Sequence, residues 1–403
     1  MATMMRSETR NRCFMLVITF CLWFSMYVFA PYYTPYLLAA GIAQVTVGVI
    51  NGLYGFMQMV TKIPAGLYTD SRQKFKPFVV AGLACGAAAC FLMGASSHET
   101  VMFIGRTLTG FATSIWSLYL VMYTRTCTDE PAPVAIARMQ FASFLGRLAA
   151  YAVSAWILTR HEMMWVFFCG GFVAFLGTLL SFFIREVPLL PLKPGQRGSV
   201  LRRLSVIREP NLLFCSLLMM LYQLVSFATV ANYTQVVAKS LGASTTQLSA
   251  ISTLNMVLAM SSTLLMNVRA MNRVRLSRLI GLSFLFLGAY CLLVPVCSTV
   301  PQLIVCSAAG GFAGGFIYTR LSSACIERVG SGEKSTAMGY HQAIYALGIT
   351  LGPPVMSRLM AGYGPWHSFL FMSALCFLSA AACSVLFPLL ERKKEENPAA
   401  LPQ

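Results

Sequence analysis

Twelve apolar runs, each about 20 residues long, constrain this chain more than any other feature. They fall at 13–37, 45–68, 77–96, 101–123, 134–158, 163–185, 211–237, 245–267, 278–298, 302–324, 336–360 and 366–389. A helix of that length spans the hydrocarbon core of a bilayer. It also satisfies its own backbone hydrogen bonds, which lipid cannot do. The runs therefore predict an all-α membrane protein. Composition agrees, with 57% hydrophobic and 11% charged residues, where a soluble domain carries roughly 25% charged. The four histidines show no metal-ligand spacing, and most of the thirteen cysteines lie inside apolar runs. Neither a metal centre nor a disulfide framework is expected, and no cofactor is called for. The cysteines read as small packing residues.

A formal net charge of +17 would suit nucleic acid, but its distribution points elsewhere. With an inside N-terminus, the cytoplasmic segments and their edges hold 23 of the 30 Lys and Arg, the outer side holds Arg160, Lys239 and Arg358, and four lie within spans. That asymmetry is the positive-inside pattern, which places both termini in the cytoplasm. The basic charge serves topology and anionic lipid headgroups, and no nucleic-acid partner is expected.

Between the second and third runs the chain reads Gly66-Leu-Tyr-Thr-Asp70-Ser-Arg72-Gln-Lys74-Phe-Lys76. A glycine, an acid four residues later and a cluster of cations predict a short hinge between two helices. Gly66 would let a neighbouring helix come close, and Asp70 would accept from the N–H groups of another helix start. Arg72 and Lys74 would hold the loop in the cytoplasm. The stretch resembles the signature loop of the major facilitator superfamily, although Ser71 and Gln73 stand where that family has a basic residue and a glycine. Arg106 and Gly110 in the fourth run resemble the same family's Arg-x-x-x-Gly element.

The resemblance extends over nearly the whole chain. It implies two six-helix bundles, residues 1–190 and 211–390, joined by a linker at 191–210 and followed by a disordered tail at 391–403. It implies a site reached alternately from either side of the plasma (inner) membrane, and a gating or coupling role for Gly66, Asp70, Arg72, Lys74, Arg106, Gly110, Gly348, Gly352 and Pro353. A monomer is the expected state. The linker, with Pro191, Pro194 and several arginines, suits a short amphipathic piece on the membrane surface.

Parallel repeats are implied too. Gln140, Leu145 and Gly146 in the fifth run match Gln342, Leu347 and Gly348 in the eleventh at one offset of 202 residues. The same offset sets Asp70 on Asn272, so the second copy has lost its acid. Gly348, Gly352 and Pro353 resemble an element that antiporters of the family carry on their fifth helix. Here that helix has Gly146-Arg147-Leu-Ala-Ala-Tyr151 instead. Drug/proton antiport is correspondingly disfavoured.

Arg147 sits midway through the fifth run, where a cation costs roughly 2.5–3.5 kcal/mol on insertion scales. It should face the protein interior, yet no acid stands near mid-depth in any run. It either receives an anionic group of a substrate or braces helices through backbone carbonyls and tyrosines. Gln140, Tyr222, Gln223, Asn255, His341, Gln342 and Tyr345 lie at comparable depth. His341, Gln342 and Tyr345 share one helix face. His341 either carries a proton or is a hydrogen-bonding packing residue. Tyr32, Tyr33 and Tyr36 after Pro31 either line a pore mouth or form an interfacial aromatic belt.

No phosphate-binding loop and no nucleophile–base constellation is present, so an enzyme is not expected. The chain reads as a secondary or facilitative transporter of a small organic solute, an organic anion being one candidate. The alternatives are a proton-coupled multidrug or amphiphile efflux pump and a lipid flippase of the same architecture.

Overall fold

A computed structural model describes residues 2–72, 74–127, 132–185, 209–266, 274–327, 329 and 334–396. Among these, every regular element is helical. In chain order they are α1 (Ala2–Tyr27), α2 (Tyr33–Ala39), α3 (Gln44–Arg72), α4 (Lys76–Ala95), α5 (Glu99–Ser114), α6 (Trp116–Thr126), α7 (Ala132–Leu158) and α8 (Met163–Ser181). Then come α9 (Pro210–Ala228), a π-helical turn (Thr229–Tyr233), α10 (Thr234–Ser240), α11 (Thr245–Leu265), α12 (Leu276–Leu293), α13 (Val300–Ala324) and α14 (Lys334–Glu396). Eight helical stretches among the described residues are long and apolar enough to cross a membrane. One of them, Thr336–Leu389, is 54 residues long, enough for two crossings.

The interruptions have local causes. Pro31 lacks an N–H and would crowd the Tyr27 carbonyl, so the first apolar run ends as α1 and restarts as α2. In the fourth run, the Thr109, Thr113 and Ser114 hydroxyls bond back to carbonyls three or four residues earlier, a pattern that bends helices, and α5 gives way to α6 at Ile115. Gly364 has φ 73, a conformation glycine adopts without strain. Pro365 then suits the first turn of the next helix, so α14 is two helices meeting at a kink. In the π turn, Asn232 Nδ2 donates to the Phe227 carbonyl.

The hinge expected over Gly66 to Lys76 is shorter than predicted. Helix α3 continues through Gly66 and Asp70 to Arg72, and α4 already begins at Lys76. Helix α14 runs to Glu396, so the first six residues of the expected disordered tail are helical. Residues 191–208 of the linker, Asn272 and residues 397–403 lie outside the described residues, and the linker's last residue, Pro210, opens α9.

Contacts group the chain into two compact units, Met1–Ile42 with Leu53–Pro191 and Ala43–Gly52 with Leu192–Gln403. In the first, α4 packs on α8 and α1 packs on α7 and α8. Small residues make this possible, since lipid supplies no hydrophobic drive between helices. A Cβ at Gly94 would lie 2.8 Å from the Phe168 ring, and one at Gly170 would lie 2.8 Å from Val28. Lys76 Nζ donates to the Phe182 carbonyl at 2.6 Å, covering the C-terminal end of α8. In the second unit, α14 packs on α9 and α12, and α13 packs on α11 and α12.

Each unit repeats the other's close approaches. A Cβ at Gly146 of α7 would meet the Phe20 carbonyl of α1 at 2.6 Å, while one at Gly348 of α14 would overlap the Met220 carbonyl of α9. Gly110 of α5 presses on the Tyr54 backbone of α3, and Gly311 of α13 presses on the Asn255 backbone of α11. The first helix of each unit also reaches the end of that unit's fourth span. Arg12 Nε donates to the Thr126 carbonyl at 3.1 Å, and Asn211 Nδ2 donates to the Ala324 carbonyl at 2.8 Å.

Candidate functional site

In the first unit, α1 and α7 bring a cation into an aromatic cluster. The Arg147 guanidinium lies 3.9 Å from the Trp23 ring centroid and 4.7 Å from that of Tyr27. Trp23 and Tyr27 are four residues apart and so share a face of α1. Trp116 of α6 packs edge-on against Trp23 at 5.3 Å, and Tyr151 of α7 meets Tyr27 at 6.1 Å. Trp23 and Tyr151 are buried, at 7% and 6% exposure. Aromatic faces attract a guanidinium through their quadrupole. This fixes the charge in an apolar bundle without a carboxylate.

The edges of that stack are unfilled. Arg147 Nε and Trp23 Nε1 are both buried with no hydrogen-bond partner among the described residues. Two donors in adjacent side chains therefore lack an acceptor, a state that native interiors normally avoid.

Arg106 repeats the arrangement from α5. Its guanidinium lies 4.6 Å from the Tyr54 ring and 5.1 Å from the Tyr33 ring, and its Nε is also buried without a partner. Tyr32 and Tyr33 are buried at 4% and 2% exposure. They are not exposed as an interfacial belt or an open pore mouth would require, and Tyr33 packs at a tilt in the core against Phe29 at 5.4 Å.

Helix α7 does not bring Gln140 into this cluster. The residue is exposed, and its Oε1 accepts from Ser143 of the same helix at 3.4 Å.

The polar residues expected in the second unit form a drier arrangement. His341 has no exposed surface. Its Nδ1 meets Ser216 Oγ of α9 at 3.1 Å, and its ring stands edge-on to Tyr345 at 5.7 Å. Ser216 already donates its hydrogen to the Leu212 carbonyl at 2.6 Å. Its oxygen must therefore accept from His341, which assigns the hydrogen to Nδ1. The other nitrogen, Nε2, is buried without a partner. At the 202-residue offset His341 corresponds to Met139, itself fully buried and contacted by the Thr19 hydroxyl of α1 at 3.2 Å. The position is a helix–helix contact in both units.

Gln223 is buried on α9 and Gln342 is half-buried on α14. Asn255 Nδ2 donates to the Ser307 carbonyl at 3.1 Å, joining α11 to α13, while Tyr222 lies against Gly314.

The glycines divide. Gly110, Gly348 and Gly352 each sit where an added Cβ would strike the backbone of a neighbouring helix, whereas one at Gly66 would meet nothing within 4 Å. The close approach expected at Gly66 is thus not seen among the described residues. The glycine instead offers its carbonyl to Thr69 Oγ1 at 2.9 Å. Pro353 is buried and Lys74 is exposed. The side chains of Asp70 and Arg72 lie outside the described residues.

Sequence reasoning did not single out Trp23, Tyr27, Tyr54, Trp116, Ser216 or Arg320, whose Nε is likewise buried without a partner. The available signal was the Trp-x-x-x-Tyr spacing in the first run, read together with a membrane arginine that lacks an acid.

The family model of the Major Facilitator Superfamily matches residues 15–234 and 215–403. The chain belongs to the Major Facilitator Superfamily. It is accordingly a multi-pass membrane transporter in family and in fold. Solved structures of superfamily architecture agree. The nucleoside transporter NupG, in a point-mutant form, superposes with a TM-score of 0.78 over 94% of this chain and 100% of that one, at 13% identity. A bacterial homolog of the human lysosomal transporter Spinster, inward-facing and unoccupied, gives 0.76 over 94% and 96%, at 11% identity. Among curated relatives, the mouse monocarboxylate transporter 10 is 30% identical over 117 residues, which is 29% of this chain and 23% of that protein. The Escherichia coli inner membrane transport protein YajR is 36% identical over 86 residues, or 21% and 19%. These matches span less than a quarter of either relative's length.

Proposed function

We propose that this superfamily member carries a small organic anion by alternating access, and that Arg147 receives the anionic group. One observation carries the reading. The guanidinium is stacked on Trp23, and Arg147 Nε and Trp23 Nε1 lie buried in the same cluster with no acceptor. A carboxylate or phosphate oxygen supplies the missing acceptor, and charge-assisted hydrogen bonds are the strong ones. The surrounding rings suit a cargo with an apolar or aromatic body. Two arginines in aromatic surroundings within the first unit disfavour a cationic amphiphile. The name of the mammalian relatives, which refers to monocarboxylates, supports an anionic cargo.

In this reading residues 1–190 and 211–390 are the two moving bundles of a monomer. The protein lies in the plasma (inner) membrane with both termini in the cytoplasm, as the bias of its Lys and Arg directs. Gly110 keeps α5 close to α3 within the first unit, Gly348 and Gly352 keep α14 close to α9 within the second, and with Pro353 they take the gating or coupling role. Arg106 is a second cation in the first bundle, and Asp70 with its basic neighbours forms the cytoplasmic latch. Gln223, Gln342 and Tyr345 are candidate binding residues of the second unit, and His341 braces α14 against α9 there.

A thermal-shift titration of the purified protein with phenylpyruvate, benzoate and a cationic amphiphile tests this. A bound ligand raises the apparent Tm by mass action. Stabilisation by the acids, lost in Arg147→Ala and partly kept in Arg147→Lys, is expected. Stabilisation by the acids that survives Arg147→Ala, or stabilisation by the cation alone, overturns the reading.

A further inference from the structure

The second unit holds a pair of thiols that the transport reading does not use. Cys297 follows the short 3-10 turn Val294–Val296 at the end of α12, and Cys306 lies on the second turn of α13. The hairpin folds these positions together, so that the two sulfurs are 3.8 Å apart. Both residues are free cysteines of intermediate exposure. This combination is rare in the chain. Most other cysteines are buried, including Cys291 and Cys376, which touch one another but have no exposed surface.

We propose that Cys297 and Cys306 are a redox-responsive dithiol that closes an intramolecular disulfide when a small-molecule disulfide is present. Sulfurs in van der Waals contact need only a modest side-chain rotation to reach bonding distance. The thiolate of one cysteine attacks a sulfur of the small disulfide, forming a mixed disulfide and releasing one thiol. The second cysteine loses its proton and attacks the protein sulfur of that mixed disulfide, releasing the second thiol. Two cysteine thiols are oxidised and one small disulfide is reduced to two thiols. The closed bond staples the end of α12 to the start of α13. By the charge distribution this end of the hairpin faces away from the cytoplasm, where disulfides persist.

The test uses the purified full chain and oxidised glutathione as the probe. Remaining thiols are then alkylated, and the protein is digested and mapped by mass spectrometry. Wild type should show a Cys297–Cys306 cross-linked peptide without glutathione on either residue. Cys297→Ser should instead hold glutathione stably on Cys306, and Cys306→Ser should hold it on Cys297, because the resolving thiol is gone. Exposed Cys13 should carry an adduct in all three proteins, reporting that the probe is active. The proposal fails if Cys13 is modified while both hairpin thiols stay fully alkylatable. It fails equally if wild type accumulates stable adducts on them, or if cross-links form only between chains. The result reads the thiol pair itself and is independent of cargo and orientation.

Discussion

The Arg147 guanidinium lies 3.9 Å from the Trp23 ring centroid, and the stacked pair leaves one donor on each partner without an acceptor. Stacking and hydrogen bonding use different parts of both groups. The ring face holds the cation, a contact that contributes about 0.5–2 kcal/mol, while the indole N–H and the guanidinium edge stay available. An arginine can therefore be a structural element and an anion receptor at the same position. The alternatives of brace and binder are not exclusive here.

Trp23→Phe separates those roles. The substitution keeps an aromatic face beneath the guanidinium and deletes the indole donor. A hydrogen bond to a charged group contributes roughly 1.5–3 kcal/mol. Affinity for an anionic ligand should therefore fall about tenfold to a hundredfold, with thermal stability of the unliganded protein close to wild type. Trp23→Leu should lower both. Calorimetric titration alongside a thermal melt reads the two effects, and unchanged affinity in Trp23→Phe would remove the indole N–H from the site.

The glycine contacts that recur in the two units predict where a methyl group is tolerated. A Cβ at Gly311 would run into the Asn255 backbone, which cannot move aside as a side chain can. Gly311→Ala should cost about 1–3 kcal/mol by overpacking. Gly362 is exposed on α14 with nothing within 4 Å of an added Cβ. There the change to Ala should be neutral, or stabilising by up to about 1 kcal/mol through helix propensity. Melting temperatures of the two variants in one detergent make the comparison.

These contacts show what the sequence made legible. The apolar runs anticipated the eight described stretches long and apolar enough to cross a membrane, and the match of Gly146 to Gly348 located a contact that both units make. Distances between elements do not follow from one chain's hydropathy. Arg147 was recognisable as an unpaired cation, but its aromatic partners stand on a helix more than a hundred residues earlier. Gln140 was grouped with Arg147 by its depth in the fifth run, yet the structure leaves it exposed, because depth does not fix which face of a helix a residue occupies. Gly66 illustrates the converse error, because a small residue permits close approach without requiring it. The helical course of α3 beyond Gly66 was hidden because glycine and a charge cluster are signals for loops and for helix ends alike.

Ser216 and His341 should be energetically coupled. Ser216→Ala leaves the His341 Nδ1–H buried without an acceptor, at a cost of about 1–3 kcal/mol. His341→Met installs the residue type found at the matching position of the first unit, where Met139 packs against α1. In that background Ser216→Ala should cost much less, so the two changes should be clearly non-additive. A double-mutant cycle on melting free energies measures this. Additive losses would mean that the hydrogen bond contributes little and that the tautomer is set by another neighbour.

Asp70 allows the fold and the transport cycle to be tested apart. Helix α3 is described to Arg72, so the backbone of Asp70 lies in the last described turn, at the end that carries the negative pole of the helix dipole. A carboxylate there is unfavourable by roughly 0.3–1 kcal/mol. Asp70→Asn should leave the melting temperature unchanged or slightly higher, since the local electrostatic term favours the neutral side chain. If the acid latches one state of the transport cycle, the same variant should lose most of its turnover in proteoliposomes while still binding ligand with near wild-type affinity. A variant that melts earlier and transports poorly would instead mark Asp70 as a structural residue. One that transports normally at normal expression would end the latch assignment.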